Sequence, residues 1–132
     1  MTKKALLPAG WPRPRGYANG VTARGRTIFV AGMIGWNERG EFETDSLAGQ
    51  ARQALANIAA VLAADGARPA HIVRMTWYVT DKREYVAAQA EIGRAFRELI
   101  GDYDIAMTAV EVAALIEDRA KVEIEATAVV PD

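Results

Sequence analysis

The sequence predicts an α/β fold of the α+β kind, a single sheet with two helices on one of its faces, and three observations carry that prediction. Two long segments, Leu47–Leu62 and Asp81–Leu99, space their apolar residues on a helical period. Between them, His71–Thr80 is dense in β-branched and aromatic side chains. In Lys121–Val130, residues Val122, Ile124, Ala126 and Ala128 share one parity, and Glu123, Glu125, Thr127 and Val129 share the other.

Taken in order, residues 1–16 carry Pro8, Pro12 and Pro14 with Gly10 and Gly16, and are expected to form an extended lead-in without regular structure. Two β-rich runs follow, Tyr17–Thr22 and Arg26–Met33. Gly25 between them suits the positive φ of a short hairpin. Asn37-Glu38-Arg39-Gly40 reads as the next turn, leaving room for one further short strand. The first helix takes its buried face from Leu47, Ala51, Ala54, Leu55, Ile58, Val61 and Leu62. Thr44, Asp45 and Ser46 offer N-caps, and Gly66 offers a left-handed stop. His71–Thr80 is a central strand. The second helix starts on the capping-box pair Asp81 and Glu84, buries Tyr85, Ala88, Ile92, Ala95, Phe96 and Leu99, and stops at Gly101. Two closing strands, about Ala106–Val112 and Lys121–Val130, flank a turn region at 116–119.

Composition narrows the function. The 132 residues, 51% of them hydrophobic and 25% charged, suit one domain with a sizeable core, 1–132, and an unanchored protein. No cysteine is present, which excludes disulfides and thiolate catalysis and is compatible with a cytoplasmic location. His71 is the only histidine, so a zinc site built on several imidazoles is excluded. The residue itself reads as a surface or strand-end side chain. The net charge of −1 does not announce a nucleic-acid binder, although Lys3, Lys4, Arg13, Arg15, Arg24 and Arg26 all precede the first acid, Glu38. A solvated basic terminus is the reading preferred over a phosphate-binding arm.

Two helices can cover only one face of the sheet, and the other face mixes acids with apolar residues. A solvent face should be more polar, so an oligomer is expected, with an interface or an interfacial pocket on that side.

Five segments in order, with Tyr17 ahead of them, resemble one family. Ile28-Phe29-Val30-Ala31-Gly32-Met33-Ile34-Gly35 is similar to its strand ending in "SGQ" or "AGQ", and Gln53-Ala54-Leu55-Ala56-Asn57-Ile58 to its helical Q-A-L-x-N-I signature. Ile72–Asp81 resembles "V-x-K-x-T-V-Y-L-T-D", Met107–Val112 resembles "R-S-A-V-E-V", and Val122–Ala126 matches "V-E-I-E-A". With Tyr17 opening the first strand, the likeness spans about residues 17–130. It identifies the chain as a member of the Rid (YjgF, endoribonuclease L-PSP-like) imine deaminases. That resemblance implies a chorismate-mutase-like fold, a homotrimer with a central β-barrel, three pockets between subunits, a small-molecule substrate, and no metal or organic cofactor.

The resemblance also nominates residues. Glu123 matches the glutamate that positions or activates water. A carboxylate can serve both proton steps of imine hydrolysis, or it can be a structural acid bonded across an interface. Tyr17 matches a pocket-wall tyrosine, Gly32 the glycine of the pocket floor, and Gln89 an asparagine on the second helix. Met33 and Ile34 stand for the common "Q-I", and Trp36 falls in the loop over the site, as a lid or a hairpin anchor. Met107 stands where 2-aminoacrylate and 2-iminopropanoate deaminases carry the arginine that grips the substrate carboxylate bidentately. Arg74 and Arg119 are poorly placed substitutes. With Met33, Ile34, Trp36 and Met107 together, the pocket is expected to be more apolar than in arginine-bearing members, although methionine can also have closed it. The expected activity is enamine or imine hydrolysis of altered specificity, unlike that on 2-iminopropanoate. The alternatives are a non-catalytic ligand-binding or regulatory trimer and, with less support, an endoribonuclease.

Overall fold

The computed structural model describes residues 3–132. Besides a single 3-10 turn at Pro69–His71, nine strands and α-helices follow in order: β1 (Lys3–Leu6), β2 (Gly20–Ala23), β3 (Arg26–Ile34), α1 (Leu47–Ala63), β4 (Ile72–Val79), α2 (Lys82–Ala87), α3 (Gln89–Leu99), β5 (Ala106–Glu111) and β6 (Val122–Val130). Four strands make the main sheet in the order β3-β6-β4-β5, mixed in direction because only β4 and β5 run parallel, joined by the helical crossover. β4 and β6 are its central pair, as the β-branched run and the strict alternation require.

The N-terminal expectation needs correction. Lys3–Leu6 is not an unstructured lead-in but a strand, paired antiparallel with β2 in a separate two-stranded sheet. Lys3 Nζ also donates to the Ile72 carbonyl at 2.9 Å, so the basic run is tied to the domain at that point. The hairpin between β2 and β3 is absent as well. Gly25 does take a positive φ of 147°, but for another reason: a Cβ there would overlap the Val130 backbone. Close approach lets β3 enter the sheet along β6, with Arg26 opposite Val130, and β2 is left to pair with β1. The extra strand after Met33 reduces to one bridge, Trp36 to Phe42, around a turn at Gly40.

Helix α1 forms where its period placed it. The Ser46 side chain accepts from the Gly49 N–H, and Leu47, Ala51, Ala54, Leu55, Ile58 and Leu62 are buried under the sheet. Each buried leucine or isoleucine contributes about 1.5–3 kcal/mol. Val61 departs from the expected face, at 38% exposure, because the sheet covers only the strip centred on Leu55 and Ile58. The second helix is two helices. Asp81 caps α2 by accepting from Arg83 and Glu84, and the backbone breaks at Ala88 (φ −93°, ψ 5°) before α3 begins. Ile92, Ala95 and Phe96 of α3 are buried, and Gly101 ends the segment at φ 106°. Both main helices lie on the face of Met75, Trp77, Val122, Ile124 and Ala126, so the face of Tyr78, Glu123 and Glu125 is left open.

Candidate functional site

The open face is built around a bulge. Val30 pairs with Ala126 and Met33 with Ile124, so Ala31 and Gly32 together oppose the single residue Glu125. The extra residue turns Gly32 onto the open face against the Glu123 carboxylate, where a Cβ would overlap that carboxylate. Only glycine lets backbone and acid lie this close. Across β4, Tyr78 lies opposite Glu123, and its hydroxyl donates to Glu125 Oε1 at 2.5 Å. That bond, with desolvation and the charges of Glu125 and Glu123, holds the Tyr78 phenol above its ordinary pKa. Arg74 and the 80% exposed Phe29 complete this face.

The loop beyond the bulge is held by the helical signature. Asn57 Nδ2 donates to the carbonyls of Ile34 (3.1 Å) and Trp36 (2.8 Å), and Gln53 donates to Asn57 Oδ1 at 2.8 Å. Gln50, fully buried, donates to the carbonyls of Thr44 and Arg119 and accepts from the Lys121 N–H, clamping the approach to β6. These amides are structural: they fix the two strand ends that present Gly32 and Glu123.

The second assembly lies at the other edge of the sheet. The Ala18 N–H donates to the Ile105 carbonyl at 2.8 Å, which pins Tyr17 beside the start of β5. Tyr17, Gln89 and Met107 thereby line one cleft of about 560 Å³ between α3 and β5, in the size range of small-molecule pockets. Its wall is a slab of Phe96 stacked on Tyr103, centroids 5.0 Å apart and 9° from parallel. Trp77 and Tyr85 form the inner part.

The expected residues therefore fall into two groups. Gly32 and Glu123 meet on the open face, while Tyr17, Gln89 and Met107 meet in the cleft. Met33 joins neither, because the bulge returns it to the helix face, where it packs on the core opposite Ile124. Trp36 packs on Phe42 at the far end of β3, and Ile34 is buried. The expected cluster of Met33, Ile34, Trp36 and Met107 is thus corrected: within one chain they do not share a pocket. Arg74 stands on the open face, and Arg119 is engaged with Asp45 at 2.8 Å and lies over the Phe42 ring. His71 sits in the turn before β4, where its Nδ1 accepts from the Arg68 N–H at 3.0 Å.

Three arginines were not nominated for a site by the sequence. Arg15, Arg94 and Arg97 all border the cleft, with Met107 inside it. Their sequence signal was ordinary, two cations on an exposed helix face and one in a proline-rich segment, and only the crossover of α3 over β5 brings them together. Among the described residues, no group of three His, Asp or Glu side chains could hold a metal ion, and no helix is long and apolar enough to cross a membrane.

Comparisons with known proteins agree with this fold. The endoribonuclease L-PSP family profile matches residues 12–130. The 2-iminobutanoate/2-iminopropanoate deaminase of Escherichia coli is 38% identical over 114 residues, 86% of each chain. Among solved structures, a Rid-family protein of Yersinia pestis superposes with a TM-score of 0.86 at 32% identity, over 98% of this chain and all of that one. Escherichia coli TdcF, solved with bound serine, gives a TM-score of 0.71 at 31% identity, over 96% of this chain and 98% of that one. The profile match over residues 12–130, the 38% identity to a curated relative and the shared mixed-sheet fold converge on one assignment: the chain belongs to the Rid (YjgF) family, the endoribonuclease L-PSP family.

Proposed function

We propose that the protein hydrolyses enamines or imines of small molecules, with Glu123 as the catalytic residue, in a homotrimer whose sites lie between subunits. The observation that carries this reading is the Glu123 carboxylate seated against the Gly32 backbone on an otherwise uncovered sheet face. In the reaction, Glu123 takes a proton from water as its oxygen bonds to the imine carbon. The proton passes to nitrogen, and collapse of the carbinolamine releases ammonia and leaves a carbonyl. Gly32 offers backbone beside the acid to orient the substrate.

One chain carries the acid and the cleft on different parts of the sheet. Joining the carboxylate half of one subunit to the Tyr17, Gln89 and Met107 half of the next would complete a site, and the exposed Phe29 and Val110 on the open face support burial there by a second copy. Met107 gives the specificity its direction. A methionine in place of the resemblance's arginine cannot pair with a carboxylate, so this position favours substrates larger than 2-iminopropanoate that present apolar surface there. We keep the cytoplasm as the location, on the cysteine-free sequence.

The test is ammonia release from freshly generated imines by wild type and by Glu123→Gln. Hydrolysis should fall by about 10²–10⁴, the usual worth of a general acid–base group, with an unchanged melting temperature. Hydrolysis unaffected by the substitution would remove Glu123 from the chemistry. Absence of hydrolysis by wild type on every imine would leave the ligand-binding trimer.

A further inference from the structure

The cleft between α3 and β5 combines features that Met107 does not explain. Arg15 and Arg94 have no hydrogen-bond or ion-pair partner among the described residues, and Arg97 has no carboxylate. Arg97 is nonetheless positioned: its Nη1 donates to the Tyr103 hydroxyl at 3.1 Å, and Tyr103 is held by its stack on Phe96. Guanidinium groups bordering an aromatic cleft, with the neighbouring Glu98 already engaged by Arg52, make a field suited to an anion.

Gly93 keeps the space open. It lies in the middle of α3, where glycine costs about 1 kcal/mol relative to alanine. A Cβ there would stand 3.4 Å from Arg97 Nη1 and 3.7 Å from the Tyr103 hydroxyl, so a larger side chain would occupy the mouth between them. Deeper in, Trp77 is 3% exposed, and its indole N–H is the one buried side-chain polar atom without a partner among the described residues.

We propose that this cleft binds a ligand joining an aromatic body to a carboxylate, the carboxylate held at the mouth by Arg97 and Arg94 and the ring set between Tyr17 and Tyr85. The inference deepens the hydrolase reading by naming its substrate class, an aromatic imino acid whose anion is gripped from the helix rather than from residue 107. A cleft of about 560 Å³ has room for a ligand of this size.

The test uses an unreactive hydrolysis product, so that binding is read apart from catalysis. Calorimetric titration of the full-length protein with phenylpyruvate, its methyl ester and pyruvate should show the aromatic acid binding about ten-fold or more tighter than either of the others, the difference one retained charge contact makes. Arg94→Met with Arg97→Met should lower phenylpyruvate affinity by about ten-fold or more and change the ester by less than about two-fold. Gly93→Leu, which obstructs the mouth without touching charge, should weaken both. Equal binding of acid and ester, an acid affinity indifferent to the two arginines, or no binding of any of the three would overturn the proposal. A protein that keeps the acid preference but releases no ammonia from any imine would retain the anion site and lose the hydrolase reading.

Discussion

The two ends of the sheet are built by opposite means. At the β3–β6 end, an acid is brought against bare backbone by a bulge, a glycine and a set of buried amides, with little volume to spare. At the β5 edge, three arginines and a set of aromatic rings surround an open space that a helix glycine maintains. The first is close-packed and suited to holding one atom in place. The second is roomy and charged, suited to selecting a ligand. On the proposed reading, chemistry and selectivity rest on different parts of the chain, and substitutions at one end should affect its own property more than the other's.

The largest expected effect exchanges selectivity for that of arginine-bearing relatives. Met107→Arg should raise turnover of 2-iminopropanoate by about thirty- to several thousand-fold, the range of a charge-assisted contact worth about 2–5 kcal/mol, in an ammonia-release assay. Efficient turnover of that substrate by wild type would break the argument. Gly32→Ala works on the other end: its Cβ must displace the Glu123 carboxylate, so hydrolysis should fall by more than phenylpyruvate binding does, and thermal unfolding should report a loss of about 1–3 kcal/mol. Asn57→Ala orphans the carbonyls of Ile34 and Trp36 and should cost about 1–2 kcal/mol in denaturant unfolding, with the cleft again less affected.

The smallest effect lies outside both regions. Desolvation, then the charges of Arg68, Lys3 and Arg26, hold His71 below its ordinary value of 6.5. The unfolded chain therefore takes up the proton first, and stability present above pH 6.5 declines as the pH falls through the unfolded and then the folded pKa. The decline should be small, because the imidazole is only partly buried, and absent in His71→Asn. A urea titration at neutral and mildly acidic pH reads it.

Much of this architecture was legible in the residues. The helical spacing of Leu47–Leu62, the β-branched run at Ile72–Val79 and the alternation of Val122–Val130 each reflect a periodicity that local geometry imposes whatever the neighbours do. Glu123 could be assigned to the open face because parity in β6 is unbroken. Met33 could not be assigned, because the bulge at Ala31 and Gly32 resets parity and nothing in the local sequence counts the residues on the partner strand. Gly25 was seen to need a positive φ, but whether that served a hairpin or a close approach to Val130 depended on residues a hundred positions away.

By itself, then, the sequence determined the elements, the faces of the regular strands and the family motifs, since these follow from spacing along the chain. Only the tertiary structure decided which residues share a site. It set Gly32 against Glu123 through a bulge register, pinned Tyr17 beside Met107 through one backbone hydrogen bond, and carried Arg94 and Arg97 over the β5 edge, because proximity across a fold is set by packing and pairing between segments distant in sequence.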